Sequence, residues 1–157
     1  QEKQYLIGFP FDKNVSLEGV FTAPYSLSNT VARDTGTLTV PAFNPANLIT
    51  PPPGATHFRL LVALGCVSDF AFNAQTGTYE PIDVANNELS DVAYSGYLDL
   101  SAAIATATVV TATLPGTPTI TTDASVLFCI GIEFYQQVGA NYYLFNSGNA
   151  LKVADIF

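Results

Sequence analysis

Two stretches of this chain read as β-strands buried on both sides, and they decide what the chain can fold into. From Ser125 to Gln137, Val126, Phe128, Ile130, Ile132 and Phe134 fall on one face, and Leu127, Cys129, Gly131, Glu133 and Tyr135 fall on the other. From Thr56 to Val67, Phe58, Leu60, Val62 and Leu64 share a face opposite Arg59, Leu61, Ala63 and Gly65. Side chains of a strand point alternately to its two faces, so period two is the strand signature. A strand that is apolar on both faces belongs in the middle of a sheet or beneath another layer.

The rest of the chain reads as shorter strands between turn residues. Gly36–Val40 sets Leu38 and Val40 against Thr37 and Thr39, as in a half-buried strand. Val15–Thr22 also starts with alternation. Phe70 and Phe72 carry the pattern past Asp69, Asn73–Gly77 is a turn, and Thr78–Val84 is its hairpin partner. Asn86–Asp91 is polar and loop-like. Tyr94–Leu100 reads as one strand with Tyr97 and Asp99 on the same face. Ser101–Ala105 is Ala-rich and could open a helix, but Thr106–Thr113 is β-branched at six of eight positions and favours a strand. Leu114–Pro118 is a break. Val138–Asn141 is a tight turn, Tyr142–Phe145 returns from it, and Ala150–Ile156 closes the chain after a second turn.

Pro41, Pro45 and Pro51-Pro-Pro-Gly54 cannot continue a central strand, because proline offers no N–H to the ladder. This stretch reads as a long, partly polyproline-like connection from one sheet to another. The expectation is an all-β fold of eight or nine strands. Two packed antiparallel sheets form the sandwich, with jelly-roll or immunoglobulin-like Greek-key connections. Residues 1–157 form a single domain.

Charge narrows the function. Only 11% of residues are charged, against about 25% in an ordinary soluble domain. The 13 acidic residues outnumber 5 basic ones, for a net charge of −8. Such a surface repels phosphate backbones, and no basic run offsets it, so nucleic acid is not an expected partner. No apolar run approaches the roughly 18 residues of a membrane helix, so no membrane insertion is expected. The apolar excess is then buried in the domain or between copies of it. The chain starts at Gln1 and contains no Met, which suggests a processed product or a fragment of a longer protein, placed outside the cell or on a particle surface.

Catalytic chemistry has few candidates. His57 is the single imidazole, and no Gly-x-Ser-x-Gly elbow accompanies it. Two cysteines and one histidine are too few for a structural zinc site. Glu80, Asp83, Glu88, Asp91 and Asp99 lie close in sequence without basic neighbours. They read as a solvated acidic edge that opposes aggregation, since no Ca²⁺-loop pattern joins them. Glu133 interrupts an apolar face, and Arg59 in the other central strand could pair with it. The spacing of Cys66 and Cys129 would permit a bridge between facing sheets, but buried free thiols are the preferred reading. No catalytic residue, metal ligand or cofactor is predicted. Tyr135, Tyr142 and Tyr143 are the candidate ligand-binding residues, as a platform on which a sugar could stack. Cross-strand packing within a hairpin would explain the same tyrosines, and the absence of Trp weakens the sugar reading.

Gly36-Thr-Leu-Thr-Val-Pro-Ala-Phe-Asn-Pro-Ala-Asn-Leu-Ile49, Pro53-Gly-Ala-Thr-His-Phe-Arg-Leu60 and Ile130-Gly-Ile-Glu-Phe-Tyr-Gln136 resemble the C-terminal, β-rich part of an uncharacterised bacterial protein family. In that family a more basic, Gly-rich part precedes the β-rich one. The resemblance covers most of the chain, rests on structural motifs, and implies no activity and no functional residues. The reading is a noncatalytic structural or self-assembly subunit of a surface, filament or particle. The alternative is a carbohydrate-binding or other ligand-binding β-sandwich module.

Overall fold

The computed structural model of the protein describes residues 2–116 and 118–157. These residues form an all-β sandwich with eleven strands among them. The large sheet is built on β3 (His57–Ser68) and β9 (Ala124–Val138), which pair antiparallel along all twelve residues of β3. Beyond β9 lie β10 (Asn141–Leu144) and β11 (Ala150–Ile156), and beyond β3 lie β6 (Ser90–Tyr94) and β7 (Leu98–Asp99). The second sheet has the order β1 (Ser26–Asn29), β2 (Thr35–Val40), β8 (Thr108–Thr113). A separate hairpin joins β4 (Phe70–Asn73) to β5 (Thr78–Pro81).

The core is the space between the two sheets. Phe58, Leu60, Val62 and Leu64 of β3, with Val126, Phe128, Ile130, Ile132 and Phe134 of β9, meet Leu38 and Val40 of β2 and Val110 and Ala112 of β8. These are the faces that the alternation marks as apolar. Asp91 on β6 links the layers by accepting a hydrogen bond from the Thr113 amide at 2.9 Å. Arg33 does so by donating to the carbonyls of Thr121 and Ala124 at 2.8 and 2.9 Å. The second sheet turns an uncharged hydroxyl face outward, with Thr37 and Thr111 side chains 2.9 Å apart across β2 and β8.

The proline-rich connection does cross from the second sheet to the large one. It contains one helical turn, α2 (Pro45–Leu48), where Asn44 Oδ1 accepts from the Ala46 amide and Pro45 opens the turn. Proline suits that position, since the first amides of a helix need no internal acceptor. The alternation at Val15–Thr22 does not make a strand. Residues Leu17–Val20 form a single turn, α1, capped by Ser16, whose hydroxyl accepts from the Gly19 amide at 3.1 Å. Local side-chain capping supplies a hydrogen bond there that no neighbouring strand offers.

Tyr94–Leu100 is also not one strand. The ladder breaks at Ser95, where the Leu60 amide donates to the serine hydroxyl and the Ser95 amide donates to the Leu60 carbonyl. The strand number exceeds the expected eight or nine because short edge pieces such as β1 and β7 count separately. Cys66 and Cys129 are free and buried, and they belong to different apolar clusters. No helix among the described residues is long and apolar enough to cross a membrane.

Candidate functional site

The outward face of the large sheet carries the chain's densest side-chain chemistry. Register places Arg59 of β3 directly opposite Glu133 of β9, and His57 opposite Tyr135. Arg59 Nη2 lies 3.4 Å from Glu133 Oε2 and donates to the Tyr135 hydroxyl at 2.7 Å. That hydroxyl in turn donates to Glu133 Oε2 at 2.6 Å. The result is a closed triangle of cation, phenol and carboxylate, and it realises the Arg59–Glu133 pairing expected from the matched interruptions of two apolar faces.

Aromatic rings surround the guanidinium. Its central carbon lies 4.1 Å from the Tyr94 ring centre, 4.9 Å from that of Tyr97 and 5.1 Å from that of Tyr135. Tyr97 stacks flat on Tyr142, with centres 3.8 Å apart and planes 2° apart. Tyr135 meets the Tyr97 ring edge-on at 5.0 Å, and His57 meets the Tyr142 ring the same way. Tyr142 thus takes one face of Tyr97, and Arg59 and Tyr135 both lie within about 5 Å of the same ring centre. Cation–π contacts of this kind contribute about 0.5–2 kcal/mol each, more where water is excluded.

Burial pulls the Arg59 guanidinium toward deprotonation, but its bond to Tyr135 and the neighbouring phenols outweigh that and hold it more firmly charged than usual. Burial, reinforced by the Glu133 carboxylate as acceptor, pushes the Tyr135 phenol up to about 12. The Arg59 Nε is buried without a partner. A buried donor left unpaired costs about 1–3 kcal/mol, so the stacked rings and the triangle offset a real penalty.

Of the three tyrosines singled out from the sequence, the structure joins two. Tyr135 is buried inside the triangle, and Tyr142 stands beside it through Tyr97. Tyr143 pairs with Gln136 and so projects from the opposite face, where it is half exposed. Tyr94, Tyr97 and Arg59 complete the group. Period two holds the signal for part of this, because adjacent residues of a strand cannot share a face.

His57, Asp99 and Ser101 line one shallow depression at the end of the same face. The Ser101 hydroxyl donates to Asp99 Oδ1 at 2.7 Å, and the imidazole Nδ1 meets the Thr56 hydroxyl at 2.9 Å. The serine is therefore not engaged by the imidazole, which a nucleophile–base pair requires. Among the described residues no group of three His, Cys, Asp or Glu side chains is placed to hold a metal ion.

Two further features expose apolar surface. Residues 2–11 form a strap beside the free edge of β11: Glu2–Leu6 is a short 3₁₀ helix, and residues 8–11 bond to the strand. There the Gly8 amide donates to the Val153 carbonyl, the Val153 amide to the Phe9 carbonyl and the Phe11 amide to the Leu151 carbonyl, at 2.8–3.0 Å. Their side chains point largely into water: Tyr5 is 89% exposed, Phe9 52% and Phe11 57%. Next to the strap, where Lys3 pairs with Asp69 just ahead of β4, the β4–β5 hairpin exposes Phe70, Phe72, Tyr79 and, just past it, Ile82 and Val84. Phe72 and Tyr79 pack on each other across the hairpin, with ring centres 5.5 Å apart. Comparison of the chain with protein-family models, with curated proteins and with solved structures gave no match.

Proposed function

We propose that this protein is a noncatalytic structural subunit that assembles with copies of itself, as part of a surface, filament or particle. The observation that carries this reading is the apolar surface of the strap at residues 2–11 and the β4–β5 hairpin. An isolated two-stranded hairpin is at best marginally stable in water, and this one presents aromatic side chains that its own domain does not cover. Exposed apolar surface of that kind is the mark of a contact made elsewhere. The sparse charge of the outer faces supports the same reading, since close approach of two such faces strands few ions. An uncharacterised bacterial family, which the chain resembles in its β-rich part, is the origin we propose for it, with a location outside the cell or on a particle.

A glycan-binding module is the second reading, and the tyrosine row beside the His57–Asp99 depression is what favours it. Against it, Tyr97 is already stacked on Tyr142 and approached by Arg59, and Tyr143 lies on the other side of the sheet. Light scattering across a concentration series tests the assembly reading. A discrete oligomer or growing polymer is expected. A clean monomer of 16.7 kDa across the whole series overturns it and turns attention to a glycan array.

A further inference from the structure

We propose that the strap at residues 2–11 exchanges between copies, so that the strap of one chain pairs with the β11 edge of the next; this rests on the assembly reading above. In the closed chain the strap's backbone is satisfied and its side chains are not. The Gly8 and Phe11 amides and the Phe9 carbonyl are held by Val153 and Leu151 of β11, the Ile7 and Phe9 amides bond within the strap, and the Gln4 side chain donates to the Ile156 carbonyl at 3.4 Å. An exposed ion pair, Lys3 with Asp69 at 2.9 Å, adds little. Tyr5, Leu6, Ile7, Phe9 and Phe11 meanwhile remain 40–89% exposed. The strap thus covers a strand edge, which would otherwise invite pairing, while burying little apolar area of its own.

The partner that fits best is a second copy of this chain. Its β11 offers the same amides and carbonyls in the same register, so exchange preserves every backbone bond. Exchange of an identical element is a low-cost route to association. What it adds is a crossing segment whose apolar side chains lie between two bodies. The joint between strap and domain suits the motion: Asp12–Ser16 has no regular secondary structure and separates the strap from α1. Exchange in a closed pair gives a dimer, and exchange passed from copy to copy gives a chain.

A disulfide across the strap distinguishes the two arrangements. Pro10 and Lys152 face each other in an antiparallel bridge, a placement with Cα atoms about 4.5–5.5 Å apart, within disulfide range. The double variant Pro10→Cys, Lys152→Cys is assembled under reducing conditions, oxidised, then denatured and run on a non-reducing gel. Exchange predicts disulfide-linked dimers or ladders. Assembly with the disulfide only inside single chains overturns exchange and leaves the assembly reading standing. Absence of any assembly in the reduced and the unaltered protein overturns both.

The unaltered chain supplies a second measurement should the disulfide not form. In mixed assemblies of isotopically labelled and unlabelled protein, filtered NMR contacts are expected between Phe9 of one chain and Val153 of another. Finding those contacts only within chains overturns the proposal.

Discussion

Cys66 and Cys129 stand in neighbouring strands and point to opposite faces of the same sheet. Cys66 lies opposite Val126 in the β3–β9 ladder and faces the core, whereas Cys129 lies opposite Ala63 and packs outward with Val153 and Ile156. No rotamer can join two thiols through a sheet. Burial pushes Cys129 up to about 11 and raises Cys66 as well, so neither is a ready nucleophile. We expect no reaction with a thiol reagent in the native protein and two thiols released on denaturation. A non-reducing gel of the oxidised wild type should show no internal bridge.

The Tyr135 phenol provides a pH signature. Its ionisation is displaced from the ordinary 10.0 to about 12 by burial and by its bond to Glu133. The folded state therefore holds this proton more tightly than the unfolded chain does. That contribution to stability is complete below about pH 10 and is lost as the pH rises through about 12. A phenolate absorbance titration should show a late component that Tyr135→Phe removes. The same variant should lose about 0.5–2 kcal/mol in denaturant unfolding at neutral pH, since it deletes one hydroxyl with two partners.

Two glycines on the outward face should respond oppositely to a methyl group. A Cβ on Gly131 would sit 2.6 Å from the Ala150 carbonyl oxygen and 2.9 Å from a Leu151 methyl, which means moving β11. Gly131→Ala should cost about 1–3 kcal/mol, the usual range for overpacking. Gly65, on the same strand face as Leu61, has nothing within 4 Å of the position a methyl would take. Gly65→Ala should be neutral or stabilising by up to about 1 kcal/mol, because glycine in a strand loses more entropy on folding. Thermal unfolding of both variants checks the contrast.

Asp83 is one of the carboxylates that contribute to the acid limb of stability. Its carboxylate accepts from the Thr121 hydroxyl at 2.6 Å and from the Asn86 side-chain amide at 2.9 Å, and these bonds lower its pKa below the ordinary 3.8. A depressed carboxylate stabilises the fold above its unfolded pKa and loses that contribution as the pH falls through the folded value. Asp83→Asn should be less stable than wild type at neutral pH, and the difference should shrink below about pH 4. Urea unfolding at several pH values decides it; a constant difference would show that the carboxylate charge is not the cause.

Sequence periodicity carried much of this architecture. The pairing of Arg59 with Glu133 was legible because each interrupts an otherwise apolar strand face, and because two strands apolar on both sides have few places to go but next to each other. The crossing near Pro51 was legible from the missing amides of proline. The helical turn at Leu17 was not, because one capped turn and the start of a strand share the same short apolar spacing. Tyr97 joined the tyrosine group only through the break at Ser95, a tertiary event with no local signal. The separation of Tyr142 from Tyr143 follows from alternation, yet grouping them by adjacency hid it. The strap has no signature in the sequence because its apolar residues follow no period, and what places them is the far end of the chain.

The ladder between β3 and β9 also sets the pace at which this protein reaches its native state. β3 ends at Ser68 and β9 begins at Ala124, so the pairing on which the core depends must first close a long loop, whose entropy is spent before the contacts reward it. The local hairpin of β9 with β10 can form early, while β3 waits for a partner distant in sequence. A refolding rate in the range of milliseconds to seconds follows from such topology. During that interval the apolar strap and hairpin are free to meet other chains, so folding rate and protein concentration together determine which partner arrives first.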